Sequence, residues 1–202
     1  MTDSYPAGLA AITDAGGRPG LELVGPGGRV RMTLLGAHVQ SWVHPELGEI
    51  LFMSAEASHA ERAASRGGVP LVFPWFGNHA ERNDVPAHGF ARILPWEVAG
   101  YGEGPSVTLR LSDSETTRAL WPHAFAAELT VSVAESLRIT LAVTNTGEST
   151  FHFEEALHTY FAVGDVHRAT VHGLEDVPYV ESATAPQEAL VDPARPIAFL
   201  AE

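Results

Sequence analysis

Phe125-Ala-Ala-Glu-Leu-Thr-Val-Ser-Val133, followed by Ala134-Glu-Ser136 and then Leu137-Arg-Ile-Thr-Leu-Ala-Val143, is the stretch on which the fold turns. Phe125, Ala127, Leu129, Val131 and Val133 recur at every second position, and so do Leu137, Ile139, Leu141 and Val143. A period of two belongs to a strand, because successive side chains of an extended chain point to opposite faces. Two such runs joined by a short polar break predict an antiparallel hairpin, and Asn145-Thr-Gly147 supplies turn residues to end it. The same alternation recurs outward from this hairpin. Val30, Met32 and Leu34 alternate with Arg29, Arg31 and Thr33, and Val107, Leu109 and Leu111 with Thr108 and Arg110. The 19 glycines and 14 prolines mostly fall between such runs, as in Gly25-Pro-Gly-Gly28 and Gly102-Glu-Gly-Pro105. One short helix is expected, capped by Asp113 or Ser114, with Glu115 in its first turn and Pro122 ending it. Many short strands and almost no helix predict an all-β protein, an antiparallel sandwich or barrel. With no internal repeat and no low-complexity linker, residues 1–202 read as a single domain.

Composition narrows the functions. A chain of 202 residues and 21.6 kDa is long enough to bury one sizeable core. Twelve basic residues against 25 acidic ones give a formal net charge of −13, which argues against nucleic acid as a partner because no basic stripe can displace its counterions. Such a chain still binds a phosphate where a few arginines are concentrated. The absence of cysteine excludes disulfides, thiolate metal sites and a cysteine nucleophile. Met1-Thr-Asp-Ser-Tyr-Pro6 has neither a basic nor an apolar signal region, and no apolar run approaches membrane-spanning length, so no membrane partner and a cytoplasmic location are expected. There are ten histidines but no His-X-His pair, and His152 and His158 lie too far apart along a strand to share an ion. No metal is expected. With no phosphate-loop, dinucleotide or nucleophile-elbow signature, no cofactor is expected either.

From Thr150 to Ala162 the period-two pattern places Phe151, Phe153, Glu155, Leu157, Thr159 and Phe161 on one face, expected to meet the core. His152, Glu154, Ala156, His158 and Tyr160 share the other face. Such a face, rich in imidazole, carboxylate and phenol, suits a polar ligand, although a solvated strand face with incidental histidines has the same pattern. His88 sits beside Gly89 in Pro86-Ala-His-Gly-Phe-Ala-Arg92, where the glycine permits a turn. Arg66 precedes Gly67-Gly68, a pair that lets backbone approach a ligand closely. Arg66 and Arg92 together can grip a phosphate dianion, or each can serve as a surface partner for this protein's many carboxylates. Arg62 and Arg82 lie near the same segments. Trp75 and Phe76 read equally as pocket lining or as core.

Three segments, Arg66-Gly-Gly-Val-Pro-Leu-Val-Phe-Pro-Trp-Phe-Gly77, Pro86-Ala-His-Gly-Phe-Ala-Arg92 and Ala156-Leu-His-Thr-Tyr-Phe161, stand in the order of a known signature. The chain resembles the hexose-6-phosphate mutarotases (glucose-6-phosphate 1-epimerases), the phosphosugar branch of the aldose 1-epimerase superfamily, from about Gly36-Ala-His-Val-Gln-Ser-Trp42 to its last residue. The resemblance implies the large antiparallel β-sandwich of the galactose mutarotase-like fold and an isomerase that interconverts the α and β anomers of a hexose 6-phosphate. It implies that His158 is the catalytic acid, that His88 contacts the sugar near its ring oxygen, and that Arg66 and Arg92 hold the phosphate; in such a site Trp75 is the aromatic whose ring face would pack on the sugar's C–H face. Ala87 stands where some relatives carry a glutamine that touches substrate. Relatives continue beyond the position of Glu202 into further strands that carry a glutamate base, so the chain is expected to be C-terminally incomplete. Neither Glu154 nor Glu155 takes that base's place. Uncovered strand edges are then expected to favour self-association. Two alternatives stay open: an aldose 1-epimerase acting on unphosphorylated sugars, and a sugar-phosphate-binding sandwich without catalysis.

Overall fold

Two antiparallel sheets face each other in the computed structural model, which describes residues 5–54, 66–180, 189–190 and 196–199. Arg62 lies outside the described residues. The first sheet runs in sequence order through β1 (Leu9–Thr13), β2 (Pro19–Gly25), β3 (Gly28–Thr33), β4 (His38–His44) and β5 (Gly48–Glu49). After β6 (Leu71–Val72), the second sheet is built from β7 (Glu97–Tyr101), β8 (Ser106–Ser112), β9 (Phe125–Val133) and β10 (Leu137–Asn145), with β10 and β7 at its edges. The hairpin read from the sequence is present, with Leu137 opposite Val133 and Asn145 opposite Phe125. β9 buries every second residue and packs across from β2 and β3, so Leu23, Val30, Met32, Leu109, Leu129 and Val131 close the core between the sheets. The antiparallel sandwich alternative is therefore the observed one.

The helix α1 (Glu115–Leu120) is capped by Ser114, whose side chain accepts from the Thr117 N–H while the Thr117 hydroxyl accepts from the Ser114 N–H. This reciprocal pair satisfies two donors that a helix start leaves free. Asp113, the other candidate cap, instead accepts from the Phe125 N–H at 3.0 Å and pairs with Arg118.

The run from Thr150 to Ala162 is extended, yet only β11 (Ala156–Leu157) forms a regular ladder, with β6. Glu154 N–H donates to the Pro74 carbonyl (2.9 Å), His158 N–H to Pro70 (3.0 Å) and Tyr160 N–H to Gly68 (2.8 Å), all in the register that pairs Ala156 with Val72. Pro70 and Pro74 have no N–H, so the return bonds that would complete the ladder are missing. The alternation is as expected, but the expected core face is only partly covered. Phe151 packs on Trp121 with ring centroids 4.7 Å apart, whereas Phe153 and Leu157 are about two-fifths exposed and Phe161 is 64% exposed.

The sequence reads as one domain; the chain divides into two compact units, Met1–Ala162 and Val163–Glu202. The second contains two short antiparallel pairs, in which β12 (Thr170–Val171) joins β15 (Ile197–Ala198) and β13 (Tyr179–Val180) joins β14 (Ala189–Leu190). All the candidate site residues belong to the first unit.

Candidate active site

The proline-interrupted pairing sets out the site. Because His158 and Tyr160 are held by backbone bonds to Pro70 and Gly68, their side chains project from the same face of an extended segment. The rings stack, 5.0 Å apart and inclined by 21°. His88 comes from a distant turn to meet them, with its ring edge-on to His158 at 5.9 Å. The two sequence-predicted histidines thus belong to one cluster.

His88 has φ +64°, a left-handed conformation that side chains other than glycine adopt rarely. Gly89 follows at φ +71°, and a Cβ there would lie 2.0 Å from the Phe73 carbonyl oxygen, so the residue must be glycine. Gly77 clasps the turn from outside. Its carbonyl accepts the His88 N–H at 2.6 Å and its N–H donates to His88 Nδ1 at 3.2 Å. Partial burial, then the charge of Arg92 and the neighbouring His158, hold the His88 pKa below the ordinary histidine value.

Arg92 is half-buried in the 3₁₀ turn that follows the His88 loop. Its Nη2 donates to the Ala87 carbonyl at 2.8 Å, and its Nε is buried without a hydrogen-bond partner. Burial lowers its pKa, and Tyr160 partly offsets that. No described carboxylate pairs with it. A buried, charged donor left unsatisfied costs about 1–3 kcal/mol or more. Arg66 is exposed, two residues before the Gly68 carbonyl that holds Tyr160, and it too has no described carboxylate partner. Arg82, by contrast, is engaged by Asp84 and by the Ala119 and Leu120 carbonyls.

Two expectations change in detail. A Cβ on Gly68 would lie 2.3 Å from the Val39 carbonyl oxygen and 2.8 Å from His38 Nε2, and one on Gly67 would lie 2.4 Å from the Phe52 carbonyl oxygen, so the glycine pair accommodates the protein's own backbone at β4 and at Phe52-Met53. Trp75 is 7% exposed, donates Nε1–H to the Pro86 carbonyl and packs on Phe90, which makes it the floor under the His88 loop. Phe76 is the exposed aromatic, edge-on to His88 at 5.1 Å. Sequence reading placed Tyr160 on the same strand face as His158 but gave it no role of its own. It also gave no role to Glu154, whose Oε2 accepts the Phe76 N–H at 2.8 Å. Among the described residues no group of three or more His, Asp or Glu side chains is placed to hold a metal ion, and no helix is long and apolar enough to cross a membrane.

The sequence pattern of the family described as aldose 1-epimerase matches residues 21–200. A protein of Escherichia coli K12, provisionally named a glucose-6-phosphate 1-epimerase, is 40% identical over 151 residues, covering 73% of this chain and 50% of that protein. A Salmonella typhimurium protein of the same provisional name is 38% identical over the same length and the same shares of both chains. The chain thus spans about half the length of the curated relatives it matches. Among solved structures, the provisionally named mutarotase YeaD of Salmonella typhimurium superposes with a TM-score of 0.82 at 31% identity, over 97% of this chain and 65% of the other. The Synechocystis protein Slr1438 superposes with a TM-score of 0.69 at 28% identity, over 80% of this chain and 60% of the other. With a galactose mutarotase-like sandwich and a matching sequence pattern over most of its length, the chain belongs to the aldose 1-epimerase family.

Proposed function

We propose that this chain binds a hexose 6-phosphate, glucose 6-phosphate first among them, as part of an isomerase that interconverts its anomers. The observation that carries the reading is Arg92. A half-buried guanidinium with an unsatisfied Nε and no described carboxylate partner lies beside Tyr160 and His88, the neighbours of His158. A neutral sugar gives such a cation no anion, whereas a phosphate dianion accepts several charge-assisted bonds at once. Arg66, which is exposed, is assigned to the same phosphate. The provisional names of the two bacterial relatives agree with a phosphosugar.

In the proposed reaction His158 gives a proton to the ring oxygen O5 while a base takes the proton of the C1 hydroxyl. The C1–O5 bond breaks, its electron pair stays on oxygen, and C1 becomes an aldehyde. Rotation about C1–C2 and reclosure, with the protons returned, yields the other anomer. Imidazole suits the acid's role because its ordinary pKa lies near neutrality. Among the described residues no hydrogen bond engages the His158 ring nitrogens, and Glu154, the carboxylate of the same strand face, already accepts the Phe76 N–H. A second reading is that the chain binds the phosphosugar without turning it over.

Magnetisation-exchange NMR on glucose 6-phosphate separates the two. The isomerase reading expects exchange between the anomeric C1 protons above the buffer rate, lowered by about 10²–10⁴ in His158→Asn, the usual contribution of a general acid. Binding with no acceleration supports the second reading, and absence of binding overturns both.

A further inference from the structure

We propose that Glu154 is a positioning residue for His88: by accepting the Phe76 N–H it holds the neighbouring Gly77 N–H on His88 Nδ1, so that His88 carries its proton on Nε2 as an uncharged donor. Each link is a short contact. Glu154 Oε2 lies 2.8 Å from the Phe76 nitrogen, across 78 residues of sequence, and the Glu154 N–H is itself anchored on the Pro74 carbonyl at 2.9 Å. One residue further on, the Gly77 N–H lies 3.2 Å from His88 Nδ1. Phe76 and Gly77 are adjacent, so only φ and ψ of Phe76 separate the anchored N–H from the one that reaches His88, and anchoring the first narrows the range open to the second.

The consequence is chemical. A ring nitrogen that accepts a hydrogen bond carries no proton, so in the neutral imidazole the proton sits on the other nitrogen. Adding a proton to Nδ1 would set two N–H groups against each other, which agrees with the lowered pKa that burial, Arg92 and His158 give this residue. The two histidines therefore divide the work. His88 is a fixed donor, whereas no hydrogen bond among the described residues engages the ring nitrogens of His158. Only the use of that donor toward a sugar rests on the function proposed above; the wiring exists in the ligand-free protein.

The test is made on the ligand-free chain above neutral pH, by imidazole ¹⁵N spectra of His88 together with hydrogen exchange of the Phe76 and Gly77 amides. Wild type is expected to show a bare Nδ1 and a protonated Nε2, with both amides protected. Glu154→Gln keeps an acceptor oxygen and is expected to match wild type. Glu154→Ala is expected to mix the two tautomers and to speed exchange of both amides about tenfold, the scale of one lost hydrogen bond. Glu154 is exposed, and unchanged β9 amides in the same spectra establish that the variants are folded. A protonated Nδ1 in wild type, an unchanged Glu154→Ala, or a Glu154→Gln that behaves like Glu154→Ala each overturns the proposal. A failure of glucose 6-phosphate to bind alters none of these readouts, so the two readings fail separately.

Discussion

At the scale of single residues, Arg92 and Arg66 should distinguish a phosphosugar from its neutral counterpart. Truncating either to Ala is expected to weaken glucose 6-phosphate binding by about 1.5–3 kcal/mol, the range for a charged hydrogen bond, or about 10–150-fold in Kd. Glucose, which offers no phosphate, should lose almost nothing. Calorimetry with both ligands checks this, and equal losses would dismiss the phosphate assignment. His158, His88 and Arg92 were legible in the sequence because imidazoles and a guanidinium stood out against small and aromatic neighbours. The roles of Trp75 and Phe76 were not. Adjacent residues of an extended segment point opposite ways, and two aromatic letters do not say which ring meets the core. The Glu154–Phe76 contact was invisible for another reason: it joins a side chain to a backbone amide far away, and no spacing encodes such a pair.

At the scale of elements, strand periodicity was readable wherever one face is fully buried, as in β9, and less so where a ladder is irregular. β3 and β4 show the limit. Their register shifts between Arg31 and Met32, skipping Gln40, and this brings His38 inside beside Thr33. His38 Nε2 lies 2.8 Å from the Gly67 carbonyl and so ties β4 to the loop that begins at Arg66. Burial, reinforced by the charge of Arg18 and opposed by the Gly67 bond and Asp14, lowers the His38 pKa from 6.5 to about 4. The folded protein therefore holds this imidazole neutral, while the unfolded chain protonates it below about pH 6.5. Its contribution to stability is complete above that value and is lost progressively as pH falls toward 4, by up to about 3 kcal/mol at 1.36 kcal/mol per pKa unit. Urea unfolding of wild type and His38→Gln at several pH values isolates the effect, because carboxylates act alike in both. Parallel pH profiles would show that His38 does not titrate on unfolding.

At the scale of the whole molecule, the feature that matters is how little covers β10. Its apolar face and Phe153 and Leu157 line an open cavity of about 270 Å³, while the alternating pattern of the strand had suggested an ordinary buried face. The relatives it matches are about twice as long. Exposed apolar surface beside an edge strand with unpaired backbone groups invites association. Residues 1–202 should bind a hydrophobic dye and sediment as a concentration-dependent oligomer, and Leu141→Lys should reduce both. A monomer that leaves the dye dark would mean that this face is covered.

The left-handed backbone at His88 makes that side chain dispensable to the very structure that displays it. Holding a residue other than glycine at φ +64° costs about 1–2 kcal/mol. His88→Gly removes that cost while giving the unfolded chain about 0.4–1 kcal/mol of extra entropy, and it also loses the ring's contacts. The melting temperature should therefore stay near that of wild type, while any phosphosugar affinity that depends on the imidazole disappears. In a protein most of whose aromatic rings stabilise the fold, His88 would be a ring whose removal registers in ligand binding and barely at all in the thermal melt.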